Sequence, residues 1–131
     1  MNRNTRSSAQ VVIDPPVMER LLTAVYGNAG CSPAEAARIA ANLVGANLRG
    51  HDSHGVIRTP RYVEWLKDGL MFANKEIIIE KENDVLAIID GDFGFGQSVG
   101  EQTVEVGVAK AKQHGVAVTA QKTREIGRAH V

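Results

Sequence analysis

Apolar positions in this 131-residue chain follow a helical rhythm first and a strand rhythm later. Met18, Leu21, Leu22 and Val25 recur at the spacing of one helix face. Asp14-Pro15-Pro16 precedes them as a start signal, because aspartate can cap a helix and proline suits its first turn. Gly27 and Gly30 predict the end of that helix. Ser32-Pro33-Ala34-Glu35 is a capping box with proline at the first helical position, so two start signals agree. The helix it opens carries Ala36, Ile39, Ala40, Leu43, Val44 and Ala46 inward and runs to about Leu48, with Gly50 as its stop. A shorter helix is predicted over Pro60 to Lys67, packing Tyr62, Val63, Trp65 and Leu66 and ending at Gly69.

Beyond residue 70 the rhythm changes. Ile77-Ile78-Ile79 and Val85-Leu86-Ala87-Ile88-Ile89 are β-rich runs, and Lys81-Glu82-Asn83-Asp84 between them reads as a turn. A helix is predicted over Ser98 to His114, with Val99, Val104, Val106, Val108 and Ala109 as apolar positions and Gly115 as its stop. Val116-Ala117-Val118-Thr119-Ala120 reads as a buried strand. Helices followed by a strand–strand–helix–strand unit make the fold class α/β. Val11-Val12-Ile13 reads as an edge strand or packing segment, and residues 1–10 as a flexible tail.

Composition adds mild bounds. The length is that of about one domain. Fifteen basic and fifteen acidic residues cancel, so no electrostatic footprint for nucleic acid or anionic lipid is present. Cys31 is the only cysteine, which excludes an internal disulfide and makes a reducing compartment the default. Met1 to Gln10 lacks the apolar stretch of a signal peptide, and no apolar run approaches membrane-spanning length. The expected location is the cytoplasm.

One stretch concentrates chemistry. His51-Asp52-Ser53-His54-Gly55-Val56-Ile57-Arg58 places two imidazoles, a hydroxyl, a carboxylate and a guanidinium within eight residues, with Gly50 on one side and Gly55 inside. An imidazole exchanges protons near neutral pH. A guanidinium grips a carboxylate with two parallel hydrogen bonds. His54 and Arg58 together suit a small 2-hydroxy or 2-oxo acid, with Arg58 on the carboxylate and His54 on the C2 oxygen. Gly55 is expected to bend the backbone and leave room for a ligand. The bland alternative is a hydrogen-bonded loop joining two helices.

Other candidates are weaker. His51 and His54 form an H-x-x-H pair, but no cysteine pair or third local histidine completes a metal site. Asp90 to Gly100 follows a strand and opens a helix, as a dinucleotide-binding turn does. Its G-x-G-x-x-x-G spacing is one residue too long, and Gln121 and Lys122 stand where an acid should meet a ribose. A tight strand-to-helix connection explains these glycines more simply. Asp92-Phe93-Gly94 spells a kinase motif without the kinase catalytic loop. Cys31 at a helix start reads as structural, with no matched histidine or asparagine nearby.

Ala46-Asn47-Leu48-Arg49-Gly50-His51-Asp52-Ser53-His54-Gly55-Val56, with Arg58, Pro60 and Tyr62, resembles the signature of the malate/L-lactate dehydrogenase family. Ile89-Asp90-Gly91 with Phe95-Gly96-Gln97, and Ala109 to Val116, resemble two further family elements. The similarity runs over roughly residues 11–120 and is closest to the hydroxycarboxylate dehydrogenases. The resemblance implies an oxidoreductase that moves a hydride between NAD or NADP and a small 2-hydroxy or 2-oxo acid, without a Rossmann fold. It implies that His54 is the catalytic proton donor and acceptor, that Ser53 and Arg58 line the substrate side, and that the full-length protein is a homodimer. It assigns no cofactor-binding residue and no metal ligand to this chain.

Family members are far longer, so an incomplete malate/L-lactate dehydrogenase-like fold is expected here, with residues 11–124 as its N-terminal portion. The resemblance also implies a second active-site histidine shortly after Ala120, where this chain has Glu125. Ile126-Gly127-Arg128-Ala129-His130-Val131 is the translation of ATC GGA AGA GCA CAC GTC, one frame of a common sequencing-library adapter. Residues 125–131 are therefore expected to be a non-native tail, and no role is carried onto Glu125, Arg128 or His130. Two other functions stay open on sequence alone: a catalytically inactive fragment or dimerisation module, and a nucleotide-binding module built on Gly91 to Gly100.

Overall fold

A computed structural model describes residues 11–122. The expected tail at 1–10 and the expected non-native segment at 125–131 lie outside the described residues. Four helices and a three-stranded sheet follow in the order α1 (Pro15–Asn28), α2 (Pro33–Leu48), α3 (Thr59–Lys67), β1 (Ile78–Glu82), β2 (Leu86–Asp90), α4 (Gly96–His114) and β3 (Val118–Lys122). The α/β class and the strand–strand–helix–strand unit are as expected. None of the described helices is long and apolar enough to cross a membrane.

The core lies where α1 and α2 pack and the connection into α4 reaches them. Leu22 and Tyr26 of α1 meet Ala36, Ile39, Ala40, Leu43 and Val44 of α2, with Cys31, Met71 and Phe95 completing the cluster. Leu21, expected inside, is on the open face of α1 and 54% exposed. Phe95, fully buried, meets the rings of Tyr26 and Tyr62 edge-on at 5.8 and 5.9 Å. Arg38 of α2 pairs with Glu101 of α4 and donates to Ser98 Oγ at 3.3 Å, so the helical half and the sheet half are joined by charge as well as packing.

The sheet order is β1-β2-β3. β1 pairs antiparallel with β2, and β3 pairs parallel with it through the α4 crossover. Three expectations need correction. The first strand does not stop at Ile79: it passes a bulge at Glu80 and continues through Lys81 and Glu82, leaving only the tight turn around Asn83. There the Asn83 side-chain oxygen accepts the N–H groups of Val85 and Leu86. Polar Lys81 and Glu82 suit this strand because β1 is exposed along its length. The last strand spans Val118–Lys122, not Val116–Ala120, and it is not buried: Val116 and Val118 are 59% and 56% exposed. Val11-Val12-Ile13 forms no strand. Val11 and Ile13 instead rim an open apolar groove of about 310 Å³, whose other walls include Met18, Val44 and Val56.

Candidate active site

The site begins where α2 ends. Gly50 takes a positive φ of 76°, its N–H bonds to Asn47 O at 2.9 Å, and the His51 N–H reaches back to Ala46 O at 2.8 Å. That pair of bonds is the Schellman closure, which lets the chain reverse direction at a glycine. Two single turns of 3-10 helix follow, Asp52–His54 and Val56–Arg58, and lead directly into α3. Short i to i+3 bonds hold them: His54 N–H to His51 O at 2.9 Å, and Arg58 N–H to Gly55 O at 3.0 Å.

This backbone brings Ser53, His54 and Arg58 together. Ser53 Oγ lies 3.0 Å from His54 Nδ1. The Arg58 Nε donates to the Ser53 carbonyl at 2.6 Å. Among the described residues, His54 Nε2 and the two terminal nitrogens of Arg58 make no hydrogen bond. His54 is exposed, with the His51 ring edge-on to it at 5.0 Å. The turn therefore presents one imidazole nitrogen and an open guanidinium fork, both steadied through a single serine.

Gly55 has a different role from the one expected. Its φ of −89° and ψ of −153° are open to any residue. A Cβ there would come within 2.1 Å of Asn47 Oδ1, so the space is filled by the Asn47 amide and not left for a ligand. That amide is the residue sequence reasoning passed over. Its Nδ2 donates to Asp52 Oδ1 at 2.6 Å, and its Oδ1 accepts the Val56 N–H at 2.8 Å. The only advance signal was an asparagine in the last turn of a helix, a place where asparagine has no intrinsic advantage.

The glycine-rich turn before α4 is a structural connection. A Cβ on Gly91 would stand 2.7 Å from Val99, and one on Gly94 would stand 2.7 Å from Lys75 Cβ and 3.1 Å from Gly91 O. Asp92 and Phe93 take the positive φ values, and Asp92 pairs with Lys75 at 2.5 Å. Gly91 and Gly94 thus admit protein atoms, whereas a Cβ on Gly96 or Gly100 would meet nothing within 4 Å. At the far end of the crossover, Gln121 accepts from Thr103 and Lys122 pairs with Glu80.

Two further groups have their chemistry restrained. The Cys31 thiol is pushed up to about 12 by burial and by the neighbouring Glu35, so it stays protonated and unreactive. The Tyr26 hydroxyl is pushed up to about 12 by burial, and it donates to Thr59 Oγ1 at 3.3 Å. Among the described residues, no group of three or more His, Cys, Asp or Glu side chains is placed to hold a metal ion.

The family model described as malate/L-lactate dehydrogenase matches residues 13–131. The chain belongs to the malate/L-lactate dehydrogenase family. Hydroxycarboxylate dehydrogenase B of Escherichia coli O157:H7 is 36% identical over 116 residues, covering 88% of this chain and 32% of its own. L-sulfolactate dehydrogenase of Methanocaldococcus jannaschii is 39% identical over 113 residues, covering 86% and 33%. The structure of malate dehydrogenase from Pyrococcus horikoshii OT3 superposes with a TM-score of 0.81 at 32% identity, covering 85% of this chain and 32% of that one. This malate/L-lactate dehydrogenase family chain thus spans about a third of the length of the curated relatives it matches.

Proposed function

We propose that the full-length protein is an NAD- or NADP-dependent dehydrogenase. It would move a hydride between the nicotinamide and C2 of a small 2-hydroxy or 2-oxo acid of the malate or lactate kind. One observation carries the proposal: in a chain of a dehydrogenase family, Ser53 meets the His54 ring with its Oγ and the Arg58 Nε with its carbonyl, and the outer nitrogens of both stay unengaged among the described residues. The space at Gly91 and Gly94 is taken by Val99 and Lys75, and the cofactor's contacts are assigned to the part of the protein beyond residues 11–124.

The residues on this chain handle the substrate and the proton. The two terminal nitrogens of Arg58 match the two oxygens of a carboxylate. That grip turns C2 and its oxygen toward the His54 ring. Nε2 gives a proton to the C2 oxygen on reduction and takes it back on oxidation. Ser53 Oγ, bonded at Nδ1, keeps the ring from rotating. The resemblance extends the proposal to a cytoplasmic homodimer.

The test is steady-state kinetics of the full-length protein carrying this segment, with NADH or NADPH and a panel of 2-oxo acids. His54→Ala is expected to lower kcat by about 10²–10⁴-fold. Arg58→Lys is expected to raise KM chiefly, because an ammonium is a point charge without a fork. The 131-residue chain by itself is expected to show no oxo-acid-dependent oxidation of either cofactor. Near-normal kcat/KM in both variants would remove the site assignment.

A further inference from the structure

We infer that Asn47 is a positioning residue for the turn that carries His54. The inference rests on the proposed proton role of His54 and deepens it. One planar amide reaches both ends of the His54 segment: Nδ2 donates to Asp52 Oδ1 at 2.6 Å and Oδ1 accepts the Val56 N–H at 2.8 Å. Ser53, His54 and Gly55 lie between those anchor points. The missing Cβ at Gly55 lets the amide sit directly under the backbone, where that atom would be 2.1 Å from Oδ1 and 2.5 Å from Cγ.

Arg58 Nε also holds the turn, at the Ser53 carbonyl, but among the described residues no other side chain bonds both Asp52 and Val56. Asp52–His54 contains no buried residue, so apolar packing does not hold it. Its own backbone bonds, such as Gly55 N–H to Asp52 O at 3.0 Å, are those of a single 3-10 turn, which is a weak unit alone. Asn47, by contrast, stands on α2, whose inner face is core. It transfers the rigidity of that helix to an exposed imidazole. The chemistry requires an amide: one donor for the Asp52 carboxylate and one acceptor for the Val56 N–H. An aspartate at this position keeps the acceptor, loses the donor, and sets a second carboxylate against Asp52.

The experiment uses the full-length protein carrying this segment, with pyruvate and oxaloacetate as probes and NADH or NADPH as reductant. The second readout is the His54 ring resonance, assigned by its loss in His54→Ala. Asn47→Asp is expected to shift or broaden that resonance and to lower kcat by about 10–100-fold with KM nearly unchanged, the scale of an ångström-sized misplacement. The double variant Asn47→Asp/Asp52→Asn exchanges carboxylate and amide. The amide at 52 then donates to the carboxylate at 47, whose other oxygen accepts from Val56, so both readouts are expected to return toward the unmodified protein. Should Asn47→Asp not fold, Asp52→Ala removes only one anchor at an exposed residue, with an expected kcat loss of about 3–10-fold. An unchanged resonance and kcat in Asn47→Asp or in Asp52→Ala, or a double variant no better than the single one, would overturn the inference. Unchanged turnover in His54→Ala would instead sink the functional reading, and the resonance alone would then decide whether Asn47 holds the turn.

Discussion

Cys31 sits at the joint between α1 and α2 and is held protonated by burial and by Glu35. Tyr26, one helix turn earlier, is held protonated by burial. Both acids are raised in the folded chain, so the unfolded chain releases these protons first. The stability they contribute is complete below the ordinary thiol value and is lost as pH rises towards about 12. Urea midpoints are expected to be level from about pH 7 to 8 and to fall from about pH 9. In Cys31→Ala the fall should begin about one unit higher, where Tyr26 takes over. Midpoints of the unmodified chain that stayed level to about pH 11 would contradict this. At this scale the cluster of Ser53, His54 and Arg58 was legible, because the three are neighbours in the chain. Asn47 was not, because its partners at 52 and 56 come within reach only after the chain reverses at Gly50. Gly55 was recognisable as special for a reason other than the true one: it makes room for a side chain that sequence order places eight residues earlier.

The start of α2 shows how an element can be read correctly and still be completed by something distant. Ser32 Oγ accepts the Glu35 N–H at 3.2 Å, as the capping box predicts. Glu35 does not reach back to Ser32. Its carboxylate accepts the Asn74 N–H at 2.6 Å, and Asn74 Oδ1 takes the Ser32 N–H at 2.6 Å in its place. Asn74 Nδ2 also donates to Gly30 O at 2.9 Å, all from a left-handed backbone with φ of 60°. Ser32→Ala is expected to cost about 1 kcal/mol, the usual worth of a cap. Asn74→Ala is expected to cost about 2–3 kcal/mol, since it removes two hydrogen bonds and leaves a Cβ residue in a left-handed position without asparagine's local compensation. Asn74→Gly should fall between the two. Equal urea midpoints for Ser32→Ala and Asn74→Ala would show that the clamp adds nothing beyond the cap. The helices were legible from their apolar spacing and caps. The strand ends were misjudged because β1 is a solvent-facing strand with charged residues, and the composition of Lys81 and Glu82 is that of a turn.

The whole molecule is asymmetric in what it covers. α1 and α2 bury their facing sides, while α4 and β3 leave Val104, Val108, Val116 and Val118 open, at 62%, 46%, 59% and 56% exposure. Val116 to Ala120 looked like a buried strand because its composition is apolar, and burial depends on what packs against a segment as much as on the segment. The described residues account for one helical core and one short sheet, in a chain about a third as long as its relatives.

The two neighbours of β2 are reached by routes of very different length. β1 joins β2 through the few residues around Asn83, whereas β3 must wait for the whole of α4, from Asp90 to Val118. Closing a short loop loses little chain entropy and is fast, and a long crossover is slower. Folding should therefore be sequential in time: hairpin and helical pair first, the parallel strand last. Pulsed amide exchange during refolding is expected to protect Lys81 and Ile88, whose N–H groups face each other across the hairpin, before Ala120 and Lys122. Simultaneous protection of both sets would mean that the sheet assembles in one step. On a ribosome the same order holds for another reason, since β1 and β2 emerge while α4 is still being made. The early hairpin waits with the outer edge of β2 open as a template, and the last strand is added to a surface that already exists.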